Sequence, residues 1–177
     1  VAIVWTLMNA TPFPQLHGTD IERAGAHRKR GSMDVRAVFS CRDGFVSVLL
    51  VGATVPPLIR WMKEDGFATS DTESPEWATR NLSNMGEQGE REFQAFQRQL
   101  EVFFAAKSKA ELYRRAISDR ILLAPCNDVR DIWEDPQLRA REFWVDVYHP
   151  QLNATVTTLG PYVKFSETPI ETRWPAP

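Results

Sequence analysis

The sequence is poor in the residues that most directly announce chemistry. It has two cysteines and three histidines among 177 residues. Cys41 and Cys126 stand far apart with no CxxC pair, and nothing resembles a secretory signal, so the pattern points to a reducing cytoplasm rather than a disulfide scaffold. His17, His27 and His149 fall in three separate regions without HxH or HExxH spacing, so no metal site is expected. There is no GxGxxG, no GxxxxGK[ST] and no GxSxG, and Gly86 with Gly89 lies in an acidic stretch that would repel phosphates. The longest apolar run, Val1–Met8, is far shorter than the roughly 20 residues that cross a bilayer, so no membrane span is expected. Lys and Arg total 21 against 23 Asp and Glu, net charge −2, without the basic excess that drives binding to nucleic acid.

What is present is the profile of a folded domain, with 43% hydrophobic, 25% charged and 11% aromatic residues. Residues 1–10 are apolar on all sides and read as a helix packed into something larger, whereas 11–34 are rich in Pro, Gly, His and charge and read as a long irregular connection. Val35–Ser40 and Phe45–Val51 flank an Asp43-Gly44 turn and predict a β-hairpin. Thr54 is positioned to cap a helix with Pro56 and Pro57 in its first turn and Gly66 at its close. Ser74-Pro75-Glu76 predicts a second helix start. Phe93, Phe96, Leu100, Phe103 and Phe104, at spacings of three and four, predict a long amphipathic helix over 88–107. Ser108 and Glu111 form a capping box for a helix through Ile117. Ile121–Ala124 reads as a short strand ended by Pro125, 136–142 as a short helix, and Phe143–Tyr148 with Ala154–Thr158 as the last strands. The expected class is α+β, a small antiparallel sheet with helices packed on one face.

One cluster stands out as a candidate for ligand binding. Gly25-Ala-His27-Arg28-Lys29-Arg30-Gly31 sets basic side chains between glycines, and such a segment can hold phosphates or a carboxylate, because arginine forks match oxyanions. Arg28, Arg30 and Gly31 are the substrate-binding candidates. Cys41, in the hairpin beside Arg42, reads as structural.

Several ordered segments together resemble a known family. Arg36-Ala-Val-Phe-Ser-Cys-Arg-Asp-Gly-Phe-Val-Ser-Val, Leu58-Ile-Arg-Trp-Met-Lys-Glu-Asp-Gly66, Lys107-Ser-Lys-Ala-Glu-Leu112 and Ala124-Pro-Cys-Asn-Asp-Val come first. Asp135-Pro-Gln-Leu-Arg-Ala-Arg-Glu-Phe-Trp, His149-Pro and Lys164-Phe-Ser-Glu-Thr-Pro169 follow in the same order. The set is similar to the class III CoA-transferases, the CaiB/BaiF family, over roughly residues 20–170. The resemblance implies a piece of a longer protein: residues 1–34 as a helix end and connection from a large domain, 35–160 as the small domain, and 161–177 as the connection back. It implies two interlocked subunits, acyl-CoA and a carboxylic acid as partners, and coenzyme A as substrate with no separate cofactor. The family's aspartate nucleophile would lie upstream of Val1, so no catalytic residue is assigned within the chain. The family's glycine-rich loop, which covers the active site, corresponds in position to Gly25–Gly31, here basic and without a glycine run. An α-methylacyl-CoA racemase-like member is the alternative enzyme. A non-enzymatic module that docks a partner on helix 88–107 is the alternative of another class.

Overall fold

A computed structural model describes residues 15–16, 18, 21–30, 33–50, 52–67 and 86–170, with the backbone alone at 21–24, 28–30 and 33. The predicted helices at 1–10 and from Ser74 lie outside the described residues. The chain divides into two compact units, Val1–Cys126 and Asn127–Pro177. Within them are small antiparallel sheets and helices, the α+β class that the sequence predicts.

The first unit opens where an irregular connection was expected. Ile21–Ala24 (β1), His27–Arg30 (β2) and Met33–Arg36 (β3) form a three-stranded antiparallel sheet in the order β1-β2-β3. These strands carry charge on both faces, so they lack the apolar alternation by which a strand is read from sequence. Turn chemistry and backbone pairing make them instead: Gly25 takes φ +61 in the turn between β1 and β2, a conformation open to glycine at no steric cost. The predicted strand from Val35 is therefore split. Its first residues belong to β3, and at Ala37 the chain leaves that sheet, with the Ala37 N–H donating to the Ala26 carbonyl at 2.9 Å.

Val38–Cys41 (β4) and Gly44–Val48 (β5) form the predicted hairpin, and Leu123–Cys126 (β6) adds on the far side of β5. Alternation sends Phe39, Cys41, Val46 and Val48 into the core and leaves Ser40, Phe45 and Ser47 exposed. Pro125, expected to end the strand, sits inside it opposite Val46. It is accommodated because β6 is an edge, where a missing N–H breaks no ladder.

Among the described residues, three helices cover the inner face. In Val55–Glu64 (α1), Val55, Leu58, Trp61 and Met62 are buried at helical spacing. Thr54 is not the expected cap: it has helical φ and ψ at the end of a 3-10 turn, Gly52–Thr54, and its hydroxyl donates to the Leu49 carbonyl. Gly86–Ala105 (α2) buries Phe93, Phe96, Leu100, Phe103 and Phe104 as the spacing predicts. Phe104 meets Phe39 edge-on at 5.3 Å, and Phe103 meets Trp61 at 5.0 Å and Phe67 at 5.4 Å. Lys109–Asp119 (α3) begins at the Ser108–Glu111 capping box and ends on Arg120 in the left-handed conformation.

In the second unit, Val129–Glu134 (α4) has its own capping box, Asp128 with Asp131, which the sequence analysis passed over. Pro136–Ala140 (α5) is capped by Asp135, whose carboxylate accepts from the Gln137 and Leu138 N–H groups, and it stops two residues short of the predicted end. Trp144–His149 (β7) and Ala154–Leu159 (β8) pair as the predicted ribbon.

Candidate functional site

The basic segment is strand rather than loop. Arg28 and Arg30 are alternate residues of β2 and so occupy the same face of the sheet. Arg28 pairs with Arg23 on β1 and Val35 on β3, and Arg30 pairs with Ile21 and Met33. Gly31 lies outside the described residues. Sequence reasoning missed Arg23, which only the pairing brings beside Arg28. The available signal was two glycine-led dipeptides, Gly25-Ala26 and Gly31-Ser32, bracketing a four-residue segment.

Charge on the opposite face is matched. Lys29 lies in register with Glu22 on one side and Asp34 on the other, and His27 Nδ1 is 2.9 Å from the Asp34 carboxylate. Arg36 reaches Glu101 on α2, donates from Nε to the Val38 carbonyl at 2.8 Å, and lies 5.2 Å from the centre of the Phe39 ring.

One side chain fastens this sheet to the core. Gln97 is the buried polar residue of α2. Its Oε1 accepts from the Arg36 N–H at 2.6 Å, and its Nε2 donates to the Asp34 carbonyl at 2.9 Å. Both halves of the amide are used, so a polar group sits in an apolar stripe at little cost and pins β3 in place.

The remaining polar chemistry of the first unit is structural. The hairpin turn docks on the start of α3: the Asp43 carboxylate accepts from the Lys109 N–H at 2.7 Å, the Arg42 N–H donates to the Lys107 carbonyl at 2.8 Å, and the Arg42 guanidinium meets Glu111 at 2.9 Å. Cys41 is buried against this turn, and burial pushes its thiol above the ordinary range, away from a reactive thiolate. Lys107 is ringed by Phe103, Trp61 and Phe67, with Nζ at 4.7, 5.5 and 5.8 Å from their centres, and is paired with Asp65 at 2.6 Å.

The perturbed carboxylates are likewise held ionised by structural partners. Hydrogen bonds from Ser108 lower Glu111, one from Arg115 lowers Asp119, and one from Lys164 lowers Glu142. Among the described residues, no group of three or more His, Cys, Asp or Glu is gathered to hold a metal. What the pairing gives is a set of arginine positions, 23, 28 and 30, on one face of the β1–β3 sheet.

The model of CoA-transferase family III matches residues 2–177. The chain belongs to CoA-transferase family III. It is 30% identical over 169 residues to the succinyl-CoA:(R)-benzylsuccinate CoA-transferase subunit BbsE of Thauera aromatica, covering 91% of this chain and 38% of that protein. Among solved structures, a CaiB/BaiF family protein from Brucella suis superposes with a TM-score of 0.61 at 18% identity, over 94% of this chain and 40% of the other. Rv3272 of Mycobacterium tuberculosis superposes with a TM-score of 0.52 at 11% identity, over 92% and 39%. At those identities the two structures speak for the fold. The family III chain thus spans about two fifths of the length of these relatives. Its phenylalanine stripe on α2, considered above as a docking face, lies in the core and offers a partner no surface.

Proposed function

We propose that the chain is the small-domain portion of an acyl-CoA:carboxylate CoA-transferase, with residues 35–160 forming that domain and the flanking segments leading to and from a large domain. The observation that carries this reading is the family match along nearly the whole chain, joined by a curated relative named for CoA transfer. The nucleophile is an aspartate outside these residues. Its carboxylate attacks the donor thioester, giving a mixed anhydride and CoA thiolate. The thiolate attacks the aspartyl carbonyl, releasing the donor acid and leaving an aspartyl-CoA thioester. The acceptor carboxylate then displaces CoA to form a second anhydride, and CoA attacks its acyl carbon to give the product and restore the aspartate. The nucleophile thereby replaces one difficult transfer by several easier ones.

In this reading coenzyme A is a substrate, no further cofactor is used, and the working form is an interlocked homodimer in the cytoplasm. Arg28, Arg30 and Gly31 contribute to substrate binding. The test is CoA transfer by the full-length protein, with succinyl-CoA and benzylsuccinate as the first donor and acceptor. The expected result is exchange between thioester and free acid, with a CoA adduct on the enzyme that hydroxylamine removes. Inversion of a 2-methylacyl-CoA without any exchange would overturn the reading in favour of a racemase, which needs an acid–base pair instead of a nucleophile.

A further inference from the structure

Among the described residues, β7 and β8 form a sheet of two strands, and of their side chains only Val147 is buried. A two-stranded ribbon is marginal by itself in water. Its register runs one-to-one from Trp144–Leu159 to His149–Ala154, without a bulge. The Gly160 N–H donates to the Phe143 carbonyl at 2.7 Å, which fixes the parity of the ladder. Hydrogen-bonded pairs alternate with non-bonded ones, so the bonds run between Val145 and Thr158, Val147 and Val156, and His149 and Ala154. The N–H and C=O groups of Thr155, Thr157 and Leu159 therefore point away from β7. All three residues are exposed, and among the described residues no backbone group outside the ribbon bonds to them.

Proteins guard a sheet edge with charge, proline, a bulge or a cover. The other edge strands described here do so: β1 carries Glu22 and Arg23, β3 is held by Gln97, and β6 contains Pro125. In β4 the Val38 carbonyl is taken by Arg36, and just past its end the Arg42 N–H is taken by the Lys107 carbonyl. Strand β8, Ala-Thr-Val-Thr-Thr-Leu, has no charge and no proline, and four of its six residues are β-branched. We infer that this open edge pairs with β8 of a second copy of the chain, antiparallel about a two-fold axis through Thr157. The inference goes beyond CoA transfer and takes from the proposed function only the presence of that second copy.

Charge selects the strand. An uncharged β8 meets its own copy without like-charge opposition, whereas the same pairing on the other edge would set Asp146, the middle outward residue of β7, against Asp146 of the copy. Parity selects the register. Centred on Thr157, the pairing sets Thr157 against Thr157 and Thr155 against Leu159, so all three outward residues exchange N–H···O bonds. A centre at Val156 would oppose Leu159 to Asn153, whose φ of +46 takes it out of the strand. The product is a sheet in the order β7-β8-β8-β7, large enough to hold itself. Val145, Val147 and Val156 of both copies share one of its faces, which joins two small apolar strips into one.

The test uses the full-length protein and reads no activity. On the two-fold axis Thr157 stands about 5.5 Å from its counterpart, α-carbon to α-carbon, within reach of a disulfide. Thr155 stands about 14 Å from its own counterpart, beyond that reach. Under a mild oxidant Thr157→Cys should therefore run as a covalent dimer on a non-reducing gel, while Thr155→Cys and the parent, with Cys41 and Cys126, should not. Any other pattern overturns the pairing. Amide exchange gives a reading free of cysteine chemistry. Thr157→Pro removes an N–H on the open edge and no bond to β7, so exchange at Thr155 and Leu159 should be at least about tenfold faster than in the parent, with Val156 and Thr158 still protected. Free exchange at Thr155 and Leu159 in the parent overturns the inference. So does protection there without the Thr157→Cys cross-link, since another strand would then fill the edge. Sedimentation separates this failure from that of the homodimer: a dimer without the cross-link loses the edge pairing alone, and a monomer loses both.

Discussion

Replacing Gln97 tests how the arginine-bearing sheet is held. Gln97→Met keeps the length and the apolar contacts of the side chain but removes both hydrogen bonds to β3. The Arg36 N–H and the Asp34 carbonyl are then left against an apolar side chain. A polar group stranded in this way costs about 1–3 kcal/mol when fully buried. These two lie at a partly buried strand, so the lower half of that range applies to each, and the pair comes to about 2–4 kcal/mol. For a chain of this size such a loss lowers the melting temperature by about 5–12 °C. Thermal unfolding followed by circular dichroism reads the total, and hydrogen exchange at the Arg36 amide reads the site. Gln97→Glu is the informative companion. It keeps an acceptor for the Arg36 N–H but sets a carboxylate against the Asp34 carbonyl, so it should retain slow exchange at Arg36 while losing stability. A Gln97→Met protein that melts within about 2 °C of the parent, with Arg36 still protected, would refute the clamp.

Three further outcomes follow from the same structure. Lys107→Met should cost about 1–2 kcal/mol in urea unfolding, because it removes the cation from its three rings and leaves Asp65 without its partner at 2.6 Å; an unchanged midpoint would show that the cage contributes nothing. Asp119 is lowered chiefly by its hydrogen bond from Arg115, so its contribution is complete above the ordinary carboxylate range and is lost as pH falls through its lower folded value. The difference in melting temperature between the parent and Asp119→Asn should accordingly be present at neutral pH and shrink progressively as the pH falls below the ordinary carboxylate range, and a gap that stays constant into acid contradicts the assignment. Arg28→Glu should stabilise the protein by up to about 1 kcal/mol, since it turns an opposed like-charge pair with Arg23 into an opposite-charge one; a loss of stability would mean that the register does not govern these charges.

The elements that could be read from the sequence are those whose cause is local. The β4–β5 hairpin needs only alternation and an Asp-Gly turn, α2 needs only phenylalanines at three-and-four spacing, and α3 needs only Ser108 and Glu111. Where the cause is distant, the reading failed. Strand β3 is held by Gln97, some sixty residues away in the chain, and Pro125 is tolerated within β6 because that strand is an edge, which no local pattern reveals. The short helix after Asp128 escaped for another reason: Asp131 closes its capping box where Glu or Gln is the usual signal.

The same distinction runs through the candidate site. As a string, His27-Arg28-Lys29-Arg30 is one basic cluster and Arg23 is an outlier beyond a glycine. Folded across the Gly25-Ala26 turn, the residues are sorted by parity. Lys29, at the centre of the cluster, leaves it for a face where Glu22 and Asp34 flank it, and Arg23 joins Arg28 and Arg30. The net charge of the segment is the same in both descriptions, so net charge carries no information about which charges share a face. That information lies in the register: the sheet places every acidic residue of its strands on one face, and the separation exists only once the strands are paired.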